Sequence, residues 1–185
     1  MLYHNDKSIL FFNGEFKNVK DFRISPFNQT LHYGYGVFEG LRAYNAQQHP
    51  HIFKVKRHFE RLTNSAEKLN IQMPYSIQEL INFAYELLER NDMREAYIRP
   101  LVLMDKNMTL RALDADKPNI LMTCWKWNRY YPSNLLKVLV SSWRRPHPRT
   151  MPVDIKVTGN YVNSILATRE AHQKGYDDAL LLDME

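Results

Sequence analysis

Apolar positions along the chain follow two rhythms: short continuous or alternating runs, and longer stretches with helical spacing. Ile9-Leu10-Phe11-Phe12 runs into Asn13-Gly14, and residues 16–19 form a second short run. Asn-Gly tolerates the positive φ of a type I′ turn, so this pattern predicts a β-hairpin. Residues 25–36, rich in Pro, Asn, Gly and Tyr, predict a loop. Residues 37–44 read as one extended strand, paired with 52–55 across a polar turn at 45–51 that contains Pro50.

Helical spacing follows. Phe59, Leu62, Ala66 and Leu69 predict an amphipathic helix over residues 56–70. Ser76-Ile77-Gln78-Glu79 has the form of a capping box, and Leu80, Ile81, Ala84, Leu87 and Leu88 continue one face of the helix it opens. Buried strands are predicted at 97–104, 119–127 and 136–141. A last helix over 161–174 closes at Gly175, and a strand begins at Ala179. The mixture predicts an α+β fold in two segments. A small α/β domain covers 1–128, a connection 129–134, and an incomplete, β-rich large domain 135–185, its roughly 50 residues being too few for a sizeable core.

Composition narrows the classes. The 185 residues are 44% apolar and 24% charged, which excludes disordered and fibrous chains. The net charge of +5 is scattered, and its tightest group (Arg144, Arg145, His147, Arg149) is broken by prolines. No nucleic-acid partner is therefore expected; an anionic small molecule accounts for the basic residues as well. The single cysteine, Cys124, forms no internal disulfide, which suits a cytoplasmic protein. No apolar run approaches the roughly 18 residues of a membrane span, and no secretory signal is expected from the first residues. The seven histidines lack zinc spacing, Gly34-Tyr35-Gly36 lacks the rest of a phosphate loop, and no Gly-x-Ser-x-Gly elbow occurs, so no metal is expected.

Three places carry candidate chemistry. A proline-held approach delivers Lys156 to Gly159-Asn160-Tyr161 at a helix start, where a lysine is destabilised as a cation and can form a Schiff base. A solvated surface lysine is the alternative. Residues 28–44 interleave Tyr, Phe and Gly before Arg42, which fits either an aromatic core loop or the lip of an apolar pocket with one anion-binding group. Arg99 sits in an apolar strand, where an unpaired guanidinium is costly. Its partner is either a carboxylate of the protein or one of a ligand.

Taken in chain order, several segments resemble the class IV aminotransferases, the pyridoxal 5′-phosphate enzymes that include the branched-chain amino acid aminotransferases. They are Phe12-Asn13-Gly14-Glu15, Leu31-His32-Tyr33-Gly34 with Val37-Phe38-Glu39-Gly40, and His58-Phe59-Glu60-Arg61-Leu62 with Ser65-Ala66. Tyr97-Ile98-Arg99-Pro100, Ser141-Ser142-Trp143, Lys156 with Gly159-Asn160-Tyr161, and Gly175-Tyr176-Asp177-Asp178-Ala179-Leu180 complete the set. Each is weak alone, but the ordered series is specific and spans almost the whole chain.

The resemblance implies the fold of these enzymes, an amino transfer between leucine, isoleucine or valine and 2-oxoglutarate, and a homodimer. It implies that Lys156 is the Schiff-base lysine and proton shuttle, that Tyr161 bonds the cofactor's phenolic oxygen, and that Arg61 binds its phosphate. Tyr33, Phe38 and Trp127 correspond to apolar walls, and Tyr97, Arg42 and Arg99 join them in substrate binding. Arg99 corresponds to the contact for the distal carboxylate of glutamate. D-amino acid aminotransferases and aminodeoxychorismate lyases share the pattern at Lys156 and Arg61 but generally lack Gly-Leu-Arg-Ala-Tyr with Tyr-Ile-Arg-Pro. They are the alternatives, along with a catalytically incomplete unit that only folds or binds. In the family the acid at the pyridine nitrogen falls a few residues past the position of Glu185, so no residue here is given that role and little transaminase activity is expected. The connection at 128–134 is shorter than the family's and leaves the pocket tyrosine as either Tyr130 or Tyr131.

Overall fold

In a computed structural model of the chain, residues 3–105, 108–111, 117–127, 131 and 135–184 are described. The hairpin forms as expected: β1 (Ile9–Phe12) pairs antiparallel with β2 (Glu15–Asn18), and Asn13 and Gly14 take φ of 50° and 89° at the turn. Further along come the short helix α1 (Gln29–Tyr33), strands β3 (Gly36–Phe38), β4 (Leu41–Ala46) and β5 (His49–Ile52), and helices α2 (Val55–Glu67) and α3 (Ile77–Arg90). Strands β6 (Ala96–Leu103) and β7 (Asn119–Trp125) complete a seven-stranded antiparallel sheet in the order β2-β1-β7-β6-β4-β5, with β3 also on β6. Beyond it, β8 (Val138–Arg144) and β9 (Asp178–Leu182) pair in parallel, with helix α4 (Tyr161–Gln173) between them in the chain.

Several expectations are corrected. Residues 25–36 are not all loop: Asn28 accepts the Leu31 N–H at 2.9 Å as an N-cap, and Gly34 ends the turn in the left-handed region, enclosing α1. The strand expected at 37–44 is split into β3 and β4, although the register carries through unbroken, with Phe38 opposite Leu101 and Leu41 opposite Ile98. Pro100 explains the split. Its carbonyl accepts the Glu39 N–H at 3.0 Å, but proline has no N–H to return, so the ladder lapses there. The next turn is tighter than expected, at Gln47 and Gln48, both with positive φ, so β5 starts at His49. Pro50 is tolerated because β5 is an edge strand. Helix α2 stops three residues early, where Asn70 turns left-handed and the Ile71 N–H bonds Ala66 O at 2.9 Å.

One face of the sheet is the core. Helices α2 and α3 cover it, and Phe11, Leu41, Phe59, Leu62, Leu80, Leu87 and Ile98 are sealed from solvent, each side chain contributing roughly 1.5–3 kcal/mol. The capping box at Ser76 forms as predicted, with Glu79 reaching back to the Ser76 N–H at 2.8 Å. Ile155 and Val157 join this core from far along the chain and flank Lys156. No helix among the described residues is long and apolar enough to cross a membrane.

Candidate functional site

Strand alternation divides the sheet's chemistry into two sides. Val37, Glu39, Leu41 and Ala43 are buried on the core side, which leaves Phe38, Gly40 and Arg42 for the other. Directly paired residues share a face, so Arg42 meets Tyr97, and Tyr97 meets Trp125 on β7. The ladder register sets Arg99 beside Gly40 on the same face. The Tyr97 hydroxyl lies over Gly40, where an added Cβ would approach it to 1.9 Å, so only glycine leaves room for it.

Arg99 has no carboxylate partner among the described residues, against one of the two alternatives for it. Nη2 donates to the Tyr97 hydroxyl at 3.0 Å, and the guanidinium lies 4.6, 5.2 and 6.0 Å from the ring centroids of Phe38, Tyr97 and Trp125. Its Nε is buried without a hydrogen-bond partner among the described residues. Arg42 donates from Nη2 to Trp127 O at 2.7 Å, and its Nε likewise has no partner among the described residues. The Trp127 ring packs on Tyr97 at 5.0 Å. The Arg99 guanidinium is thus caged by three aromatic rings, an arrangement suited to an anion brought in with an apolar group.

Phe38 joins this face to the lysine. Lys156 Nζ lies 4.9 Å from the Phe38 ring and 4.9 Å from that of Tyr161, and donates to the Tyr161 hydroxyl; the two rings meet edge-on at 4.7 Å. The segment bearing Lys156 is laced to the small sheet through its backbone. Phe38 N–H donates to Lys156 O at 3.1 Å, Thr158 N–H to Gly36 O at 2.9 Å, and Thr158 Oγ1 to Gly34 O at 2.5 Å. Gly34 and Gly159 touch backbone to backbone, since a Cβ on Gly34 would come within 2.6 Å of Gly159 Cα. On the other side Lys68, just past the end of α2, pairs with Asp154.

Lys156, Tyr161, Asn160 and Arg61 line a cavity of about 370 Å³. Arg61 reaches it from α2, held by Glu39: Nε donates to Oε1 at 2.5 Å and Nη2 to Oε2 at 2.8 Å. Oε2 also lies 2.9 Å from His58 Nδ1 and 3.1 Å from the Gly40 N–H. Burial pushes the Glu39 carboxyl toward the neutral form, but the hydrogen bonds from Arg61 and His58 outweigh it and hold its pKa below the usual carboxylate range.

The structure thus gathers Lys156, Tyr161 and Arg61 at one cavity and Phe38, Tyr97, Arg99, Arg42 and Trp127 on the adjoining face. Tyr33 stands apart. It is half exposed, its hydroxyl donates to Met108 O at 3.1 Å, and it is not among the described residues lining the cavity. Tyr130 lies outside the described residues, as does most of the connection, while Tyr131 bonds the Asp178 carboxylate. Glu39, His58 and Thr158 were not singled out from sequence. The signal for Glu39 is the one that marks Arg99, a charge inside an apolar strand. Among the described residues no three His, Cys, Asp or Glu side chains gather as metal ligands.

The donor set suits a pyridoxal phosphate: an amine, a phenol beside it, and a guanidinium with a free edge for an anion. Asn160, on the same cavity, has a buried Oδ1 with no partner among the described residues.

The chain is similar to known proteins over almost its whole length. The sequence model of the class IV amino-transferases matches residues 36–185. A branched-chain-amino-acid aminotransferase of Pseudomonas aeruginosa is 37% identical over 182 residues, covering 96% of this chain and 59% of that protein. The crystal structure of the Escherichia coli branched-chain amino acid aminotransferase superposes with a TM-score of 0.92 at 31% identity, over 96% of this chain and 60% of its own. That of the branched-chain aminotransferase from the thermophilic archaeon Thermoproteus uzoniensis with norvaline gives 0.90 at 32%, over 95% and 59%. The chain spans about three fifths of the length of the relatives it matches.

Proposed function

The chain belongs to the class IV aminotransferases, and from that premise we propose that it transfers amino groups between branched-chain L-amino acids and 2-oxoglutarate with pyridoxal 5′-phosphate. The observation that carries this reading is the convergence of Lys156, Tyr161 and Arg61 on one cavity beside the Arg99 cage. When bound, the cofactor supplies a carbonyl that takes up an amino group and a conjugated ring that withdraws electrons.

The residues divide the work. Lys156 Nζ would hold the cofactor, and the same amine takes the proton from the substrate Cα and holds it for return. The Tyr161 hydroxyl, hydrogen-bonded to that nitrogen, orients it and serves the phenolic oxygen of the ring. Arg61 receives the phosphate through the edge that Glu39 leaves free. Phe38, Tyr97 and Trp127 exclude water and accept an aliphatic side chain. Arg99 meets the distal carboxylate of glutamate, and Arg42 shares in carboxylate recognition. One face then serves both half-reactions, because the ring-caged guanidinium offers apolar surface to leucine and donors to glutamate.

Residues 1–128 form the small domain, 129–134 its connection, and 135–185 belong to the cofactor-binding domain. In support, every strand of the seven-stranded sheet comes from Ile9–Trp125 and both parallel strands from Val138–Leu182. The protein works as a homodimer in the cytoplasm. Phe27 and Leu31, each two-thirds exposed, offer apolar surface to a second copy, and the buried free thiol of Cys124 suits a reducing compartment.

The test is an absorbance titration with pyridoxal 5′-phosphate followed by addition of L-leucine. A lysine-bound absorbance band that is absent in Lys156→Ala and is converted by L-leucine supports the reading. A band that survives the substitution removes Lys156 from its role. Conversion by D-leucine or by aminodeoxychorismate instead assigns the chain to the neighbouring activities.

A further inference from the structure

Glu39 is the one buried acid of the core side among the described residues, wholly sealed from solvent on a face otherwise given to aliphatic and aromatic side chains. A carboxylate so placed is retained only if something satisfies it, and four donors do: Nε and Nη2 of Arg61, Nδ1 of His58 and the Gly40 N–H. The carboxylate can only accept, so Nδ1 of His58 carries its proton here. The two bonds from Arg61 are parallel and use one edge of the guanidinium. Nη1 has no partner among the described residues, and the side chain, half exposed, lines the cavity that Lys156 also lines. An arginine at the end of a flexible stem is thereby given a single orientation, with one edge anchored in the core and the opposite edge toward the cavity.

We propose that Glu39 is a positioning residue for anion binding: with His58 behind it, it fixes the Arg61 guanidinium so that its free edge meets the cofactor's phosphate. This rests on the reading of Arg61 as the phosphate-binding residue and extends it to a group that touches no ligand. Two effects of removing the Glu39 charge oppose one another. Loss of a neighbouring negative charge strengthens the attraction of Arg61 for an anion, whereas loss of the two-point hold releases the side chain into many rotamers. Because Arg61 is half in solvent, the charge effect is screened and the loss of orientation dominates. The sign of the change therefore decides between positioning and mere charge balance.

The experiment measures binding of pyridoxal 5′-phosphate and of pyridoxal, which lacks the phosphate, to the chain and its variants by absorbance. The preference for the phosphorylated ligand is the readout. Arg61→Met loses about a hundredfold of that preference. Glu39→Gln, and Arg61→Lys, which keeps the charge but not the fork, each lose about tenfold, with pyridoxal affinity held within about twofold. Glu39→Gln adds nothing further in the Arg61→Met background. Should Arg61→Met leave the preference intact, the reading of Arg61 falls and the inference with it. If that variant behaves as stated but Glu39→Gln and Arg61→Lys retain or raise the preference, the positioning role alone is overturned. A Glu39→Gln variant that weakens both ligands equally likewise overturns it, because a structural role has no reason to select for phosphate. Arg61→Lys keeps the test open if Glu39→Gln does not fold.

Discussion

The Arg99 guanidinium lies over the Phe38 ring, 4.6 Å from its centroid, and the same ring is 4.9 Å from Lys156 Nζ. A cation without a carboxylate partner among the described residues is thus set one aromatic ring away from the reactive amine. Charge-assisted hydrogen bonds contribute roughly 1.5–3 kcal/mol. Arg99→Ala should therefore raise the KM for 2-oxoglutarate about ten- to a hundredfold, and that for L-leucine by less than about threefold. Half-reactions followed by cofactor absorbance separate the two. Equal losses would assign Arg99 to the packing of the sheet.

Gly34 and Gly175 both have left-handed φ, +67° and +77°, but a Cβ on Gly34 would strike the Gly159 backbone at 2.6 Å while Gly175 has nothing within 4 Å. Gly175→Ala should cost only the dihedral, about 1 kcal/mol, and Gly34→Ala at least twice that. Urea unfolding of the two variants gives the comparison. Equal losses would mean that the contact with Gly159 yields at no cost.

Ser76→Ala removes the hydroxyl that accepts the Glu79 N–H at the start of α3. The loss should be about 1 kcal/mol, lowering Tm by roughly 2–4 °C for a chain of this size. Calorimetry or circular dichroism reads it. A change under about half a degree would show that the Glu79 carboxylate caps the helix alone.

Glu170 ties α4 to β8. Hydrogen bonds from Lys174, from Ser141 and from the Ser142 N–H hold its pKa down to about 2 from an ordinary 4.5. A folded-state pKa below the unfolded one stabilises the fold above pH 4.5, and that contribution disappears as pH falls from 4.5 toward about 2. Tm measured against pH should show wild type above Glu170→Gln at about pH 6, with the gap closing across that window. A gap independent of pH would attribute the difference to shape rather than charge.

Much of this was legible along the chain because local chemistry decides it. Asn13-Gly14 and the box at Ser76 specify their turns without reference to anything distant. The strand at 37–44 was legible as extended but not as broken, since the cause, the missing N–H of Pro100, lies on another strand. Residues 25–36 hid α1 because its caps, Asn28 and Gly34, are also loop formers. The site divides similarly. Lys156 was legible locally as one of two alternatives, a Schiff-base amine or a surface lysine. Its meeting with Arg61 and Tyr161 was legible only in an ordered set matching a family, because no local pattern brings the three to one cavity. Glu39 was not, because its partner is on α2, and a carboxylate's satisfaction is a tertiary fact.

Thr158 and Gly34, which share a hydrogen bond, are 124 positions apart in the chain. Closing a loop of that length costs about 4 kcal/mol of chain entropy beyond a constant, and no short-range contact repays it in advance. The hairpins and helices of the sheet can form before the lysine segment arrives, but the amine acquires its tyrosine and its aromatic neighbour only on docking. Reactive chemistry therefore comes late in folding, and an early collapsed chain holds an ordinary, solvated lysine. Refolding followed by tryptophan fluorescence and by amine reactivity should report two separate moments, the second being the birth of the site.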